Sequence, residues 1–516
     1  MVVPELRPWR AADAVRPRLA RAARAVEPRV ARLFRITRPK TWQYTAGAAT
    51  AGLALAAGVV TAAGPWDSTG QRTAERDRAV AQEHTGGADH GRGSADSGTA
   101  PGAPLPAPSA GSVLTGLGGA SGAVKAAPSG RKAADVLDPL LKDPALGSRH
   151  AASVVDLATG KRLYGTGVGV PLVPASTTKI ATAVAALTAL GPDHRLTTRT
   201  VLEPGTGRLV LVGGGDPTLT ARKDAGGLAS LRTLAHGTAE ALRKRGTHRV
   251  TLSYDTTLYA GSEMHPIGVN DNLAAVTALM ADEARTDDSR SGPAPRAADP
   301  AGEAARTFAA FLRENGVETT SPPGPSKATK RADTLAAVSS PPLSALVERM
   351  LTDSDNDLAE ALARHTAVAT GKPADFDGAS AAVAARLKQL GLHLQGVEFH
   401  DGSGLDRADR LTADLLTDLL ATAADPDRPE LRPVLTGLPV AGFTGTLTSR
   451  YTDGAAGLVR AKTGTLTGVN SLAGTVVDRN GRILAFAFLA SDTADPHAAQ
   501  SVLDRAATSL ASCGCR

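Results

Sequence analysis

The sequence predicts an α+β fold, a sheet with helices packed on it, and three observations carry that reading. Apolar residues recur at helical spacing after Pro174 and again after Pro341. Short strand-like runs stand at both ends of one region, at Ala151–Val155 and Arg162–Tyr164 and then at Gly457–Ala461, Val469–Val477 and Ile483–Leu489. Asn480-Gly481 signals a two-residue hairpin between the last two runs. Strands at both ends with helices between them fold most simply as one sheet sandwiched by helices.

Of the 516 residues 42% are hydrophobic but only 3% aromatic, and 54 Gly and 33 Pro point to long irregular or tethering stretches beside a globular core. The net charge of +6 is unevenly placed. Ten arginines and Lys40 against Glu5, Asp13 and Glu27 put +8 into residues 1–41, so the remainder carries −2. That removes the main argument for nucleic-acid binding by the folded part.

Residues 1–41 read as a basic cytoplasmic arm. Residues 42–64 carry no charge and are long enough to span a bilayer, with Trp42, Tyr44 and Trp66 suited to its two interfaces. The long basic arm favours a retained single-pass anchor in the cell membrane, with everything after Gly64 extracellular. The competing reading is a signal cleaved near Thr61-Ala62-Ala63-Gly64, leaving a secreted protein. Residues 65–132 are a flexible Gly/Ala/Ser/Pro-rich linker. Residues 133–195 and 341–512 form the main domain, and 196–340 an inserted mixed α/β segment. Within it Arg208–Val212 reads as a strand, Leu228–Arg245 as a helix and Thr286–Ala301 as a loop. From Pro341 a helical pattern runs through Leu362, and His497–Ser512 closes the chain as a helix. Cys513 and Cys515 are too few for a disulfide framework or a structural zinc site. They read as a frayed tail, an intramolecular bridge across Gly514 being the strained alternative.

Three motifs carry chemistry. Ser176 stands immediately before a helix marked by Ile180, Ala183, Val184, Leu187 and Leu190, and Lys179 follows on the same face of its first turn. A lysine there can deprotonate the serine if burial and a second cation lower its pKa, and the unpaired N–H groups of the turn suit an oxyanion. The pattern alone is weak, since Ser129 and Lys132 repeat the spacing with no apolar helix behind them. The second motif is Ser354-Asp-Asn356, which by itself reads as a helix cap. The third is Lys462-Thr-Gly464, by itself a turn. Lys462 on a strand edge can be the second cation and can attract a carboxylate. Thr463 and Thr465 offer it hydroxyls, and Gly464 permits close approach. The fragment Thr-Gly-Thr-Leu-Thr recurs at 444–448 without a lysine and reads there as a structural turn.

In this order the three motifs are those of active-site serine β-lactamases and penicillin-binding proteins. The chain resembles the class C low-molecular-mass penicillin-binding proteins, the D-alanyl-D-alanine carboxypeptidase/endopeptidase family. Leu211-Val-Gly-Gly-Gly-Asp-Pro-Thr-Leu219, His400-Asp-Gly-Ser-Gly-Leu405 and Gly442-Phe-Thr-Gly-Thr-Leu447 add to the likeness, which covers about 150–510. The resemblance implies a transpeptidase/β-lactamase-like antiparallel sheet flanked by helices, an all-α subdomain, and extra domains between the first and second motifs. It implies Ser176 as acylated nucleophile, Lys179 as general base and Ser354 as proton relay. Asn356 would bind substrate, and Lys462, Thr463, Gly464 and Thr465 its terminal carboxylate, with the N–H groups of Ser176 and Thr465 as oxyanion hole. Asp357 departs from the apolar residue expected at its position, while Asp401 and Ser403 would shape the site by turn geometry. The implied partners are peptidoglycan stem peptides, with β-lactam antibiotics as covalent inhibitors. No cofactor or metal is expected, the eleven histidines being scattered. Two other readings compete, a β-lactamase and a membrane receptor that is acylated without turnover. The first lacks a Glu-x-x-Leu-Asn arrangement, and the second lacks further spans and a cytoplasmic effector domain.

Overall fold

The computed structural model describes residues 132–451 and 454–515. The basic arm, the apolar run of 42–64 and the linker up to residue 131 lie outside the described residues. No helix among the described residues is long and apolar enough to cross a membrane.

The chain enters through helix α1 (Ala133–Leu141), strands β1 (Arg149–Asp156) and β2 (Arg162–Thr166), a single 3-10 turn over Ala175–Thr177, and helix α2 (Thr178–Leu190). The next segment holds β3 (Thr197–Leu202), β4 (Arg208–Val212), α3 (Leu231–Lys244), β5 (Arg249–Asp255), α4 (Pro300–Glu314), β6 (Glu318–Thr319), β7 (Gly324–Pro325) and β8 (Asp333–Ser339). Five helices follow: α5 (Leu343–Asp353), α6 (Asn356–Ala369), α7 (Phe376–Gln389), α8 (Ala413–Ala424) and α9 (Arg432–Thr436). Strands β9 (Val459–Leu466), β10 (Val469–Val477) and β11 (Ile483–Ser491) then lead into α10 (Pro496–Ser512).

The first sheet joins both ends of this region in the antiparallel order β2-β1-β11-β10-β9. Its two faces separate by the alternation of β11. Ala485, Ala487 and Leu489 face a core shared with α2, α5, α6, α7 and α8. Leu484, Phe486, Phe488 and Ala490 face α1 and α10. Helix α2 is buried on every side from Thr178 to Leu187, so no polar face shows in its sequence. The second sheet runs β6-β5-β4-β3-β8 with β7 beside β5, and it mixes parallel and antiparallel pairs. Helices α3 and α4 cover it through Leu234, Phe308, Phe311 and Leu312.

Three local expectations need correction. The helix expected through Leu362 breaks at Ser354, which is left-handed at φ 59°, and Asp355 caps α6 by accepting from Leu358 N at 2.9 Å. The β10–β11 hairpin closes at Asp478 N to Arg482 O, 2.9 Å, with three residues between. Gly481 takes the left-handed position (φ 77°) of that longer loop. The tail is not frayed: Cys513 and Cys515 are bonded to each other and buried against the α1–α10 core, and Arg482 donates to Cys515 O.

Candidate active site

The turn that carries Ser176 is held by close backbone approaches. Ala175, just before Ser176, is a non-glycine residue at φ 49°, a conformation that persists only where neighbours enforce it. The enforcement is visible on both sides. Ser471 on β10 donates to Pro174 O at 2.6 Å, and Thr177 Oγ1 donates to the same oxygen at 2.7 Å. A Cβ on Gly464 of β9 would lie 2.7 Å from Pro174 O, and one on Gly404 (φ 81°) would lie 2.8 Å from Thr178 Oγ1. Both glycines are therefore required for the strand and the 401–404 turn to reach the Ser176 turn.

Lys179 is fully buried, and its ammonium nitrogen makes three hydrogen bonds. Nζ lies 3.0 Å from Ser176 Oγ, 2.6 Å from Asn356 Oδ1 and 2.7 Å from Ser403 O. Burial lowers its pKa to about 8, against the opposing pull of Asp401, Glu360, Asp355 and Asp357. Of the two causes the sequence suggested, burial and a second cation, burial is the one that lowers it. Lys462, also buried, is pushed well below its ordinary value by burial and then by Lys179 and Arg450, and it donates to Thr463 O at 2.8 Å.

Strand β9 is the free edge of its sheet, and only its start is covered. Ala441 N donates to Val459 O, and Ala461 N to Pro439 O. By alternation the N–H and C=O of Thr463 and Thr465 point to the same open side. Thr463 Oγ1 donates to Thr446 Oγ1 at 3.0 Å, which brings the repeated Thr-Gly-Thr fragment of 444–448 beside the lysine strand. Ser354 sits at the turn between α5 and α6, and its hydroxyl is not among the three partners of Lys179.

The Asp-Gly-Ser-Gly turn has a defined job. Asp401, fully buried, accepts from the backbone N–H of Ser403 (3.0 Å), Gly404 (2.6 Å) and Asp406 (2.7 Å). This presents Ser403 O to Lys179. Glu360 accepts from Gly402 N at 3.0 Å, and burial followed by Asp401 raises its pKa to about 7. Asp357, at the position expected to be apolar, accepts from Ala274 N at 3.0 Å and pairs with Arg296 at 2.9 Å, tying the inserted segment to α6. The run Gly213-Gly214-Gly215 serves packing. Substituents there would strike Ala278 O, Thr197 O and His365 Nε2.

Sequence reasoning missed His265, Asn272 and Glu360, common polar residues outside a motif that enter the site by tertiary contact, and it read Thr446 only as part of a structural turn.

A family model described as the D-Ala-D-Ala carboxypeptidase 3 (S13) family matches residues 133–288 and 287–510. The chain belongs to that family. Over 412 residues it is 38% identical to a carboxypeptidase of Mycobacterium tuberculosis, covering 76% of this chain and 86% of the relative. A D-alanyl-D-alanine carboxypeptidase of Actinomadura sp. (strain R39) is 30% identical over 465 residues, covering 73% of this chain and 84% of that one. Penicillin binding protein 4 of Haemophilus influenzae matches with a TM-score of 0.60 at 21% identity, over 73% of this chain and 98% of the other, so the two share a fold. Membership makes this S13 protein an enzyme of the serine D-Ala-D-Ala carboxypeptidase type, a low-molecular-mass member of the penicillin-recognising superfamily.

Proposed function

We propose that this S13 enzyme removes the terminal D-Ala from peptidoglycan stem peptides through an acyl-enzyme on Ser176, in an exported location. Ser176 Oγ attacks the carbonyl of the penultimate D-Ala while Lys179 Nζ takes its proton. The oxyanion meets the N–H groups of Ser176 and Thr465. Collapse expels D-Ala, whose amine receives a proton through Ser354, and water then hydrolyses the ester. Lys462, Thr463 and Thr465 hold the terminal carboxylate, while Asn356 and the open edge of β9 take the peptide backbone. The single observation behind this reading is the 3.0 Å separation of Lys179 Nζ and Ser176 Oγ, on a lysine whose pKa is lowered to about 8.

Three finer statements belong to the proposal. Penicillins acylate Ser176, because a β-lactam carbonyl presents the same electrophile next to a carboxylate. Cross-linked stem peptides are cut as well, since the leaving amine then merely belongs to a second stem. The basic arm and apolar run of residues 1–64 export the domain, as a single-pass membrane protein or after cleavage. The test is D-Ala release from a D-Ala-D-Ala-terminated peptide by the full chain and its Ser176→Ala variant. Release that persists in the variant would refute the assignment.

A further inference from the structure

Both hydrogen-bond acceptors that grip Lys179, apart from Ser176 itself, are held from behind by one short stretch of the inserted segment. The first acceptor is Asn356 Oδ1, and the other end of that amide, Nδ2, donates to Asn272 O at 2.8 Å. This fixes which way the amide faces, because its nitrogen is already committed to a carbonyl. The second acceptor is Ser403 O, in the turn wound around Asp401. His265 Nε2 lies 3.0 Å from Asp401 Oδ2, and both residues are buried. Ile267 N donates to His265 Nδ1 at 3.2 Å, so Nδ1 is the acceptor and Nε2 carries the proton toward Asp401. The ring is also locked sideways by an edge contact to Phe376, 5.2 Å between centroids. Ala274 N, donating to Asp357 Oδ1, closes the far end of the stretch.

We propose that residues 265–274 of the inserted segment are a positioning clamp for the base of the acylation step, with His265 as its key side chain. The clamp rests on the reading of Ser176 and Lys179 as nucleophile and base. His265 touches no reacting atom. It orients Asp401, Asp401 organises the turn, and the turn's Ser403 carbonyl sets where Lys179 Nζ points. The sequence separates these residues widely, and the fold brings them into one chain of contacts. Without the His265 donor, Asp401 keeps its three backbone N–H groups but loses the bond that fixes the carboxylate against the inserted segment. The turn then shifts with Asp401 and carries the Ser403 carbonyl with it. Lys179 would still be buried but less well aimed at Ser176, an error that falls on the chemical step more than on substrate binding.

The experiment compares D-Ala release by the full chain with that of His265→Leu and His265→Gln. Leucine removes the donor, whereas the glutamine amide nitrogen can reach about as far as Nε2. The expected result is a loss of about tenfold or more in kcat for His265→Leu with KM changed less than about twofold, and recovery of most of that loss in His265→Gln. Wild-type kcat in His265→Leu, or equal losses in kcat and KM that glutamine does not restore, would overturn the clamp. Should His265→Leu fail to fold, the wild-type His265 Nε2–H resonance supplies the test. It should shift when Ser176 is acylated by a penicillin, and an unmoved signal would count against the clamp. A wild type that neither releases D-Ala nor is acylated would sink the underlying reading and the clamp with it, an outcome distinct from an active enzyme indifferent to His265.

Discussion

Gly464→Ala is a demanding test of how the nucleophile is positioned. Gly464 has ordinary extended backbone in β9, so alanine brings no backbone strain and by propensity should favour the strand. Its Cβ, however, would lie 2.7 Å from Pro174 O and 3.1 Å from the Ala175 methyl, and closer still to Ser471 Oγ. Ordinary contact begins near 3.4 Å, so β9 and the Ser176 turn must part by about 0.7 Å at the carbonyl alone. Overpacking of this kind costs about 1–3 kcal/mol, and the upper half applies because one obstacle is main chain. In a domain this large that is roughly a 2–4 °C fall in Tm. A displacement near 1 Å between nucleophile and substrate-binding strand should also cost about 100-fold in acylation. Thermal melts and the initial rate of labelling by a fluorescent penicillin, checked against D-Ala release, read the two effects separately. Adding Ser471→Ala removes the nearest obstacle but not Pro174 O, so the double variant should recover only part of the rate. A Gly464→Ala protein with unchanged Tm and activity would show that the packing of β9 against this turn is not what aims Ser176.

The other predictions are simpler. In its proposed role as base, Lys179 must be neutral. With its pKa at about 8, kcat/KM should rise with pH as the neutral fraction grows from about 0.1 at pH 7 to about 0.9 at pH 9, and a pH–rate profile that is flat or falling there would contradict the assignment. Lys179→Ala should lower acylation by about 10³-fold or more while circular dichroism stays native, since a small residue replaces a buried charge. Asp357→Ala leaves Arg296 buried without its carboxylate and Ala274 N without its acceptor. It should cost about 3–5 kcal/mol by denaturant melts, and a loss below about 1 kcal/mol would show the pair to be incidental.

The sequence made the α+β class, the strands at both ends and the Ser176–Lys179 pair legible because each rests on local spacing. Arg208–Val212 is a strand with those same bounds, and α2 ends at Leu190, the last residue of its apolar pattern. The break at Ser354 was only half legible: Ser354-Asp-Asn356 reads as a helix cap, but the apolar period on either side of it suggested a continuous helix. The left-handed Ser354 arises where α6 turns to present Asn356 to Lys179. The buried tail was missed for a related reason: Cys513 and Cys515 are covered by α1 and α10, a tertiary fact with no local signature. His265 and Asn272 escaped because their value lies wholly in contacts across the fold. Asp357 is the instructive case. A carboxylate at a position expected to be apolar looked like a misfit, and it is satisfied by Arg296 and a backbone N–H from the inserted segment.

The most direct measurement of the central claim is mass spectrometry of the full chain after exposure to a penicillin, with proteolysis to locate the adduct and D-Ala release measured on the same preparation. One adduct on the peptide containing Ser176, absent from Ser176→Ala together with D-Ala release, is the predicted result. An adduct on another residue, or release that survives loss of Ser176, would contradict it.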